Sequence, residues 1–102
     1  MVVKESDWKH FRKILPEIQE KYMARLLEEY KKIIEEEENP SVRFWKLEDR
    51  IYNDKKKCGV QVDMRRSTMH LNVLELIREG AMGVEDLADF SEEFRDKIQS
   101  LI

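Results

Sequence analysis

Apolar residues recur through the first third of the chain at helical spacing. Phe11, Leu15, Ile18, Tyr22, Leu26, Tyr30 and Ile33 step by 4, 3, 4, 4, 4 and 3. The mean step matches the helical period better than the shorter heptad period. Met23, Leu27 and Ile34 widen the stripe, and Trp8 extends it backwards, which predicts a long amphipathic helix suited to a bundle. Ser6 is the expected N-cap, with Asp7 in the first turn where an acid meets the positive end of the helix dipole. Pro16 interrupts the pattern, because a proline inside a helix costs about 3 kcal/mol. The segment is therefore divided into a short helix over 7–14 and a longer one from Pro16 to about residue 37. One kinked helix is the alternative.

Glu35, Glu36, Glu37 and Glu38 oppose the negative end of that helix and end it. Asn39-Pro40 restarts the chain as N-cap and first helical residue. Phe44, Leu47 and Ile51 form the next stripe, with Trp45 and Tyr52 beside it. Lys55, Lys56 and Lys57 sit at its C-terminal end, and Gly59 closes it. Val60, Val62 and Met64 alternate as a strand would, but three matches are outweighed by the helical pattern that follows. A helix is placed over about 62–79, ended by Gly80. Met69, Leu71, Val73, Leu74, Leu76 and Ile77 cover more than half of its circumference, so it needs neighbours on two sides. Gly80-Ala81-Met82-Gly83 is a turn. A short helix over 84–89 and a last one over 91–101 follow, the latter capped by Ser91 and carrying Phe94, Ile98 and Leu101. The expected architecture is all-α, a single domain over 1–102, with a compact bundle of four main helices plus one or two short ones.

Composition agrees with this and narrows the class. The chain has 102 residues, 41% hydrophobic and 40% charged, with 3 Gly, 2 Pro and 1 Cys. One cysteine excludes a disulfide framework or a multi-cysteine metal site. No apolar run is long enough to span a bilayer, and Lys4 and Glu5 interrupt any leader-like apolar start. The expected setting is a reducing cytoplasm. The net charge of −3 is unevenly spread. Residues 41–74 carry 8 basic and 4 acidic side chains, whereas residues 75–102 carry 3 basic and 8 acidic. A basic middle can face an acidic partner or the chain's own C-terminal segment. The acidic whole predicts only weak, steeply salt-dependent association with nucleic acid.

Chemistry-bearing motifs are few. There is no GxGxxG, P-loop, HExxH, EF-hand loop or GxSxG, so no cofactor or metal is expected. His70 lies on the apolar side of its helix, where a histidine can act as a base or pH switch, but the favoured reading is a half-buried side chain with one hydrogen-bond partner. His10 reads as a solvated side chain. Cys58 follows three lysines, which would lower its pKa, but a helix C-terminus has the wrong dipole sign to activate a thiolate, so the favoured reading is an exposed reduced cysteine in a connection. Lys55, Lys56, Lys57, Arg65 and Arg66 flank one turn beside Trp45 and Tyr52, as a patch for an anionic partner would. A helix-turn-helix over 70–90 is rejected, since Glu85, Asp86 and Asp89 on its second helix would repel phosphates.

The Asp7-Trp8 start, Asn39-Pro40-Ser41 with Phe44-Trp45, and Gly59-Val60-Gln61 leading into Arg66-Ser67-Thr68-Met69 together resemble small uncharacterised helical proteins of gut-type Gram-positive bacteria. The resemblance covers most of the chain and implies no activity and no site residues. The functional expectation is a non-catalytic interaction or accessory protein of the cytoplasm, binding another protein or itself. A homodimer is expected through Met69, Val73 and Leu76 on the wide apolar arc. The first alternative is a nucleic-acid-associated regulator using the basic segment 55–66. The second is a small enzyme or thiol sensor built on Cys58 and His70.

Overall fold

The computed structural model describes residues 2–102. It is all-helical, with no strand among the described residues. Four helices follow in order: α1 (Glu5–Ile34), α2 (Pro40–Asp54), α3 (Met69–Arg78) and α4 (Glu92–Leu101). Two short 3₁₀ turns, Arg66–Thr68 and Val84–Leu87, precede α3 and α4. The molecule measures 52 × 23 × 22 Å, because α1 runs unbroken for 30 residues, about 45 Å at 1.5 Å per residue.

The expected division of α1 at Pro16 does not occur. Pro16 and Arg12, whose carbonyl loses its partner, both lie on the exposed side, where water can serve the freed oxygen. The N-cap is Lys4 rather than Ser6. The helix expected from residue 62 begins only at Met69, and residues 61–65 are neither helix nor strand. The short helix expected over 84–89 is the 3₁₀ turn alone.

The core lies at one end of the molecule. Trp8, Phe11 and Leu15 of α1 meet Met69, Val73 and Leu76 of α3, with Leu87, Phe90, Phe94 and Ile98 closing over them. Phe90 and Phe94 stack at 4.9 Å, and His10 meets Phe90 edge-on at 4.7 Å. The two chain ends are clasped here. The buried Asp7 carboxylate accepts hydrogen bonds from the Ser91 amide (2.7 Å) and hydroxyl (2.6 Å), and the Ser91 oxygen accepts from the Phe94 amide at the start of α4. One acid thus positions the cap of a helix 84 residues away.

Two glycines do different work. Gly80 takes φ +78° at the end of α3, where the Ala81 amide bonds to the Leu76 carbonyl and the Gly80 amide to that of Ile77. This paired closure requires the left-handed conformation that glycine adopts without strain. Gly59 does not close α2 as expected. It is buried flat against the Tyr22 ring, so that an added Cβ would overlap ring atoms. Gly59→Ala should therefore destabilise the chain by about 1–3 kcal/mol through overpacking. Thermal unfolding followed by circular dichroism would reveal this, and an unchanged midpoint would show that the ring yields freely.

Candidate docking surface

Beyond the core, the C-terminal half of α1 pairs with α2 as a helical hairpin, and its joint is largely polar. The Tyr30 hydroxyl donates to Asp54 at 2.6 Å. Arg50 bonds both Asp54 and Glu29 at 3.0 Å. Arg43 donates to the backbone carbonyls of Ile34 and Glu38, and Lys46 pairs with Glu36 at 2.8 Å. Asp54 is the one buried residue of α2. Burial opposes its ionisation, but the Tyr30 hydrogen bond and the charges of Arg50 and Lys57 outweigh that and hold its pKa below the ordinary carboxylate range. Tyr30 is pushed the other way, first by burial and then by its bond to this carboxylate.

With the joint held by charge, the apolar side of the hairpin is left open. On α1, Met23, Leu27, Tyr30 and Ile34 follow a 4, 3, 4 spacing. On α2, Phe44, Leu47 and Ile51 follow 3, 4. Both are heptad a and d positions. Leu26 and Ile33, and across from them Arg43 and Arg50, hold the g positions that face the other helix of the hairpin. The exposures agree. Leu26 and Ile33 are 4% and 7% exposed, whereas Leu27, Ile34 and Phe44 are 63%, 51% and 63% exposed. Two adjoining hollows share Ile51, and the second continues past Phe44 and Leu47 to Ile34 and Pro40. Trp45 sits edge-on to Phe44 at 5.0 Å, itself 63% exposed. Continuous apolar faces of this kind mark interaction sites.

The residues singled out from sequence are distributed differently. Met69, Val73 and Leu76 are fully buried within the chain, so the surface expected to pair two copies is already used by α1 and α4. Of that arc only Leu71 is well exposed. The five cations do not form one patch. Lys55 and Lys56 lie over Tyr52, and Lys57 pairs with Asp54. Arg65 pairs with Asp63, while Arg66 pairs with Glu5 and lies over Trp8 near the far end of α1. Trp8 and Tyr30 are 22 residues apart on one helix, about 33 Å at 1.5 Å per residue.

The lysines beside Cys58 do not lower its pKa, and the thiol is half-buried rather than exposed. Burial and the carboxylates of Glu79 and Glu75 push the thiol up, because the neighbouring lysines turn elsewhere. Glu79 instead accepts bonds from the Cys58 and Gly59 amides at 3.0 and 2.9 Å, and Gln19 donates to the Cys58 carbonyl. His70 is lowered by burial and by the charge of Lys97, and among the described residues its buried Nδ1 has no hydrogen-bond partner. It lies nine residues before Glu79 on α3, about 13 Å along the axis, so histidine and thiol are not brought together. His10, Glu85, Asp86 and Asp89 share a cleft with Glu17 and Lys21. Among the described residues no group of three or more His, Cys, Asp or Glu is placed to hold a metal ion, and no helix is long and apolar enough to cross a membrane.

Compared with known proteins, the chain matches no family model, no curated protein and no solved structure. The hairpin itself must carry the functional reading.

Proposed function

We propose that the chain is a non-catalytic interaction protein of the cytoplasm that docks a protein partner through the open face of the α1–α2 hairpin. The observation behind this is the mismatch between the two sides of the hairpin. Charged side chains are spent on the internal joint, and aliphatic and aromatic ones are left in water. A helix pair folded only for its own stability would bury Phe44, Leu27 and Ile34, since each full burial is worth about 1.5–3 kcal/mol. The acids with the most developed contacts, Asp7, Asp54 and Glu79, are occupied by backbone and joint hydrogen bonds, which gives them structural work.

A photo-crosslinking residue at Phe44, introduced in the native host, tests this. A discrete protein adduct is expected from position 44 and not from Gln99, an exposed position on α4. Equal labelling from the two positions would dismiss the hairpin as the docking face.

A further inference from the structure

We infer that the occupant of the hairpin face is a second copy of this chain, so that two hairpins close into a four-helix bundle. This rests on the docking reading above and names its partner.

The first argument is register. In both helices the g positions face the hairpin partner, the a positions Leu27, Ile34, Phe44 and Ile51 face outward, and the d positions lie half-covered or buried along the joint, where Tyr30 and Asp54 bond each other. Two such pairs, set face to face across a two-fold axis, place all four rows of a positions in one centre. A lone amphipathic helix laid in the groove would cover the middle and leave the outer flanks of both seams wet.

The second argument is area. Phe44 and Tyr52, which line the hollows, are each more than half exposed. At about 150–250 Å² per ring they leave about 200 Å² uncovered. Leu27, Ile34 and Ile51 add a comparable amount. That is about half of the roughly 800 Å² each partner buries in a standard interface. It lies within the range of the largest apolar patch that a monomer leaves open, which is often functional.

The third argument is charge. The positions flanking the outward residues are Ala24 and Lys31 on α1 and Glu48 and Lys55 on α2, all exposed. They hold two bases and one acid. Such a rim offers a strongly acidic or basic partner little complementary field, and it meets its own copy without a block of like charge.

Light scattering across micromolar to submillimolar concentrations is the test. The wild-type mass should rise to twice 12.4 kDa. Leu27→Glu and Ile51→Glu should each weaken association at least tenfold with helical circular dichroism unchanged, because both residues are exposed in the single chain. Leu71→Glu, exposed on α3 away from the hairpin, should leave the dimer intact. A wild-type mass of 12.4 kDa at every concentration, or a dimer that survives both hairpin substitutions, overturns the inference. The adduct from Phe44 separates the two ideas. An adduct with a different protein, from a chain that stays monomeric, ends the second-copy proposal while the docking reading stands.

Discussion

Val73→Glu should abolish the fold. Val73 is 0% exposed, among Met69, Leu76 and Phe11, which are equally enclosed. A carboxylate there has no hydrogen-bond donor to meet, and its longer side chain overfills the site. Burying an unpaired charge costs several kcal/mol and overpacking a core about 1–3 kcal/mol more, against a total stability for a domain of about 5–15 kcal/mol. The helical circular dichroism signal should collapse at every protein concentration. A variant that keeps its helix content and merely loses mass in light scattering would return Val73 to an interface between copies and contradict the core described here.

The second large effect belongs to the hairpin joint. Asp54→Ala removes the acceptor for Tyr30 and Arg50 and leaves both groups at a half-closed interface. Breaking a fully buried pair costs about 3–5 kcal/mol. Arg50 and Lys57 keep part of their solvent contact, so about 2–3 kcal/mol is expected here. The pH dependence follows from the direction of the shift. Asp54 has a lowered native pKa, so its contribution is fully present above about 3.9, the value of a free aspartate. The contribution is lost as the pH falls through the lower native value. Urea unfolding should therefore show the full gap between wild type and Asp54→Ala at neutral pH and a shrinking gap in acid. A gap that stays constant into strong acid would mean that the ionised carboxylate is not what holds the joint.

The residues explain what could be read without a structure. The stripe from Phe11 to Ile33, the Asn39-Pro40 restart and the Ser91 cap are local patterns, and the helices stand where they point. Pro16 misled because its cost depends on which side of the helix it occupies, and a neighbour in space decides that. Residues 61–65 resist helix although Val62 fits the pattern, and Asn72 bonds back to the Asp63 carbonyl there. The exposed apolar side of the hairpin is half visible in the sequence. Leu27 and Ile34 were folded into one broad stripe, although their 4, 3, 4 spacing with Met23 and Tyr30 is a seam distinct from Leu26 and Ile33. The Arg43, Arg50, Asp54 edge of α2, spaced 7 and 4, was the matching signal for a polar joint. Met69, Val73 and Leu76 pointed to an interface because a wide apolar arc does not say whether its cover comes from the same chain. The Asp7–Ser91 clasp had no sequence signal, since the two residues lie 84 positions apart.

Backbone amide chemical shifts over a dilution series test most directly whether the hairpin is the docking face and a second copy its occupant. Concentration-dependent shifts should be confined to 23–34 and 44–55, with 69–77 unmoved. Shifts centred on Met69, Val73 and Leu76, or a spectrum that is the same at every concentration, would contradict it.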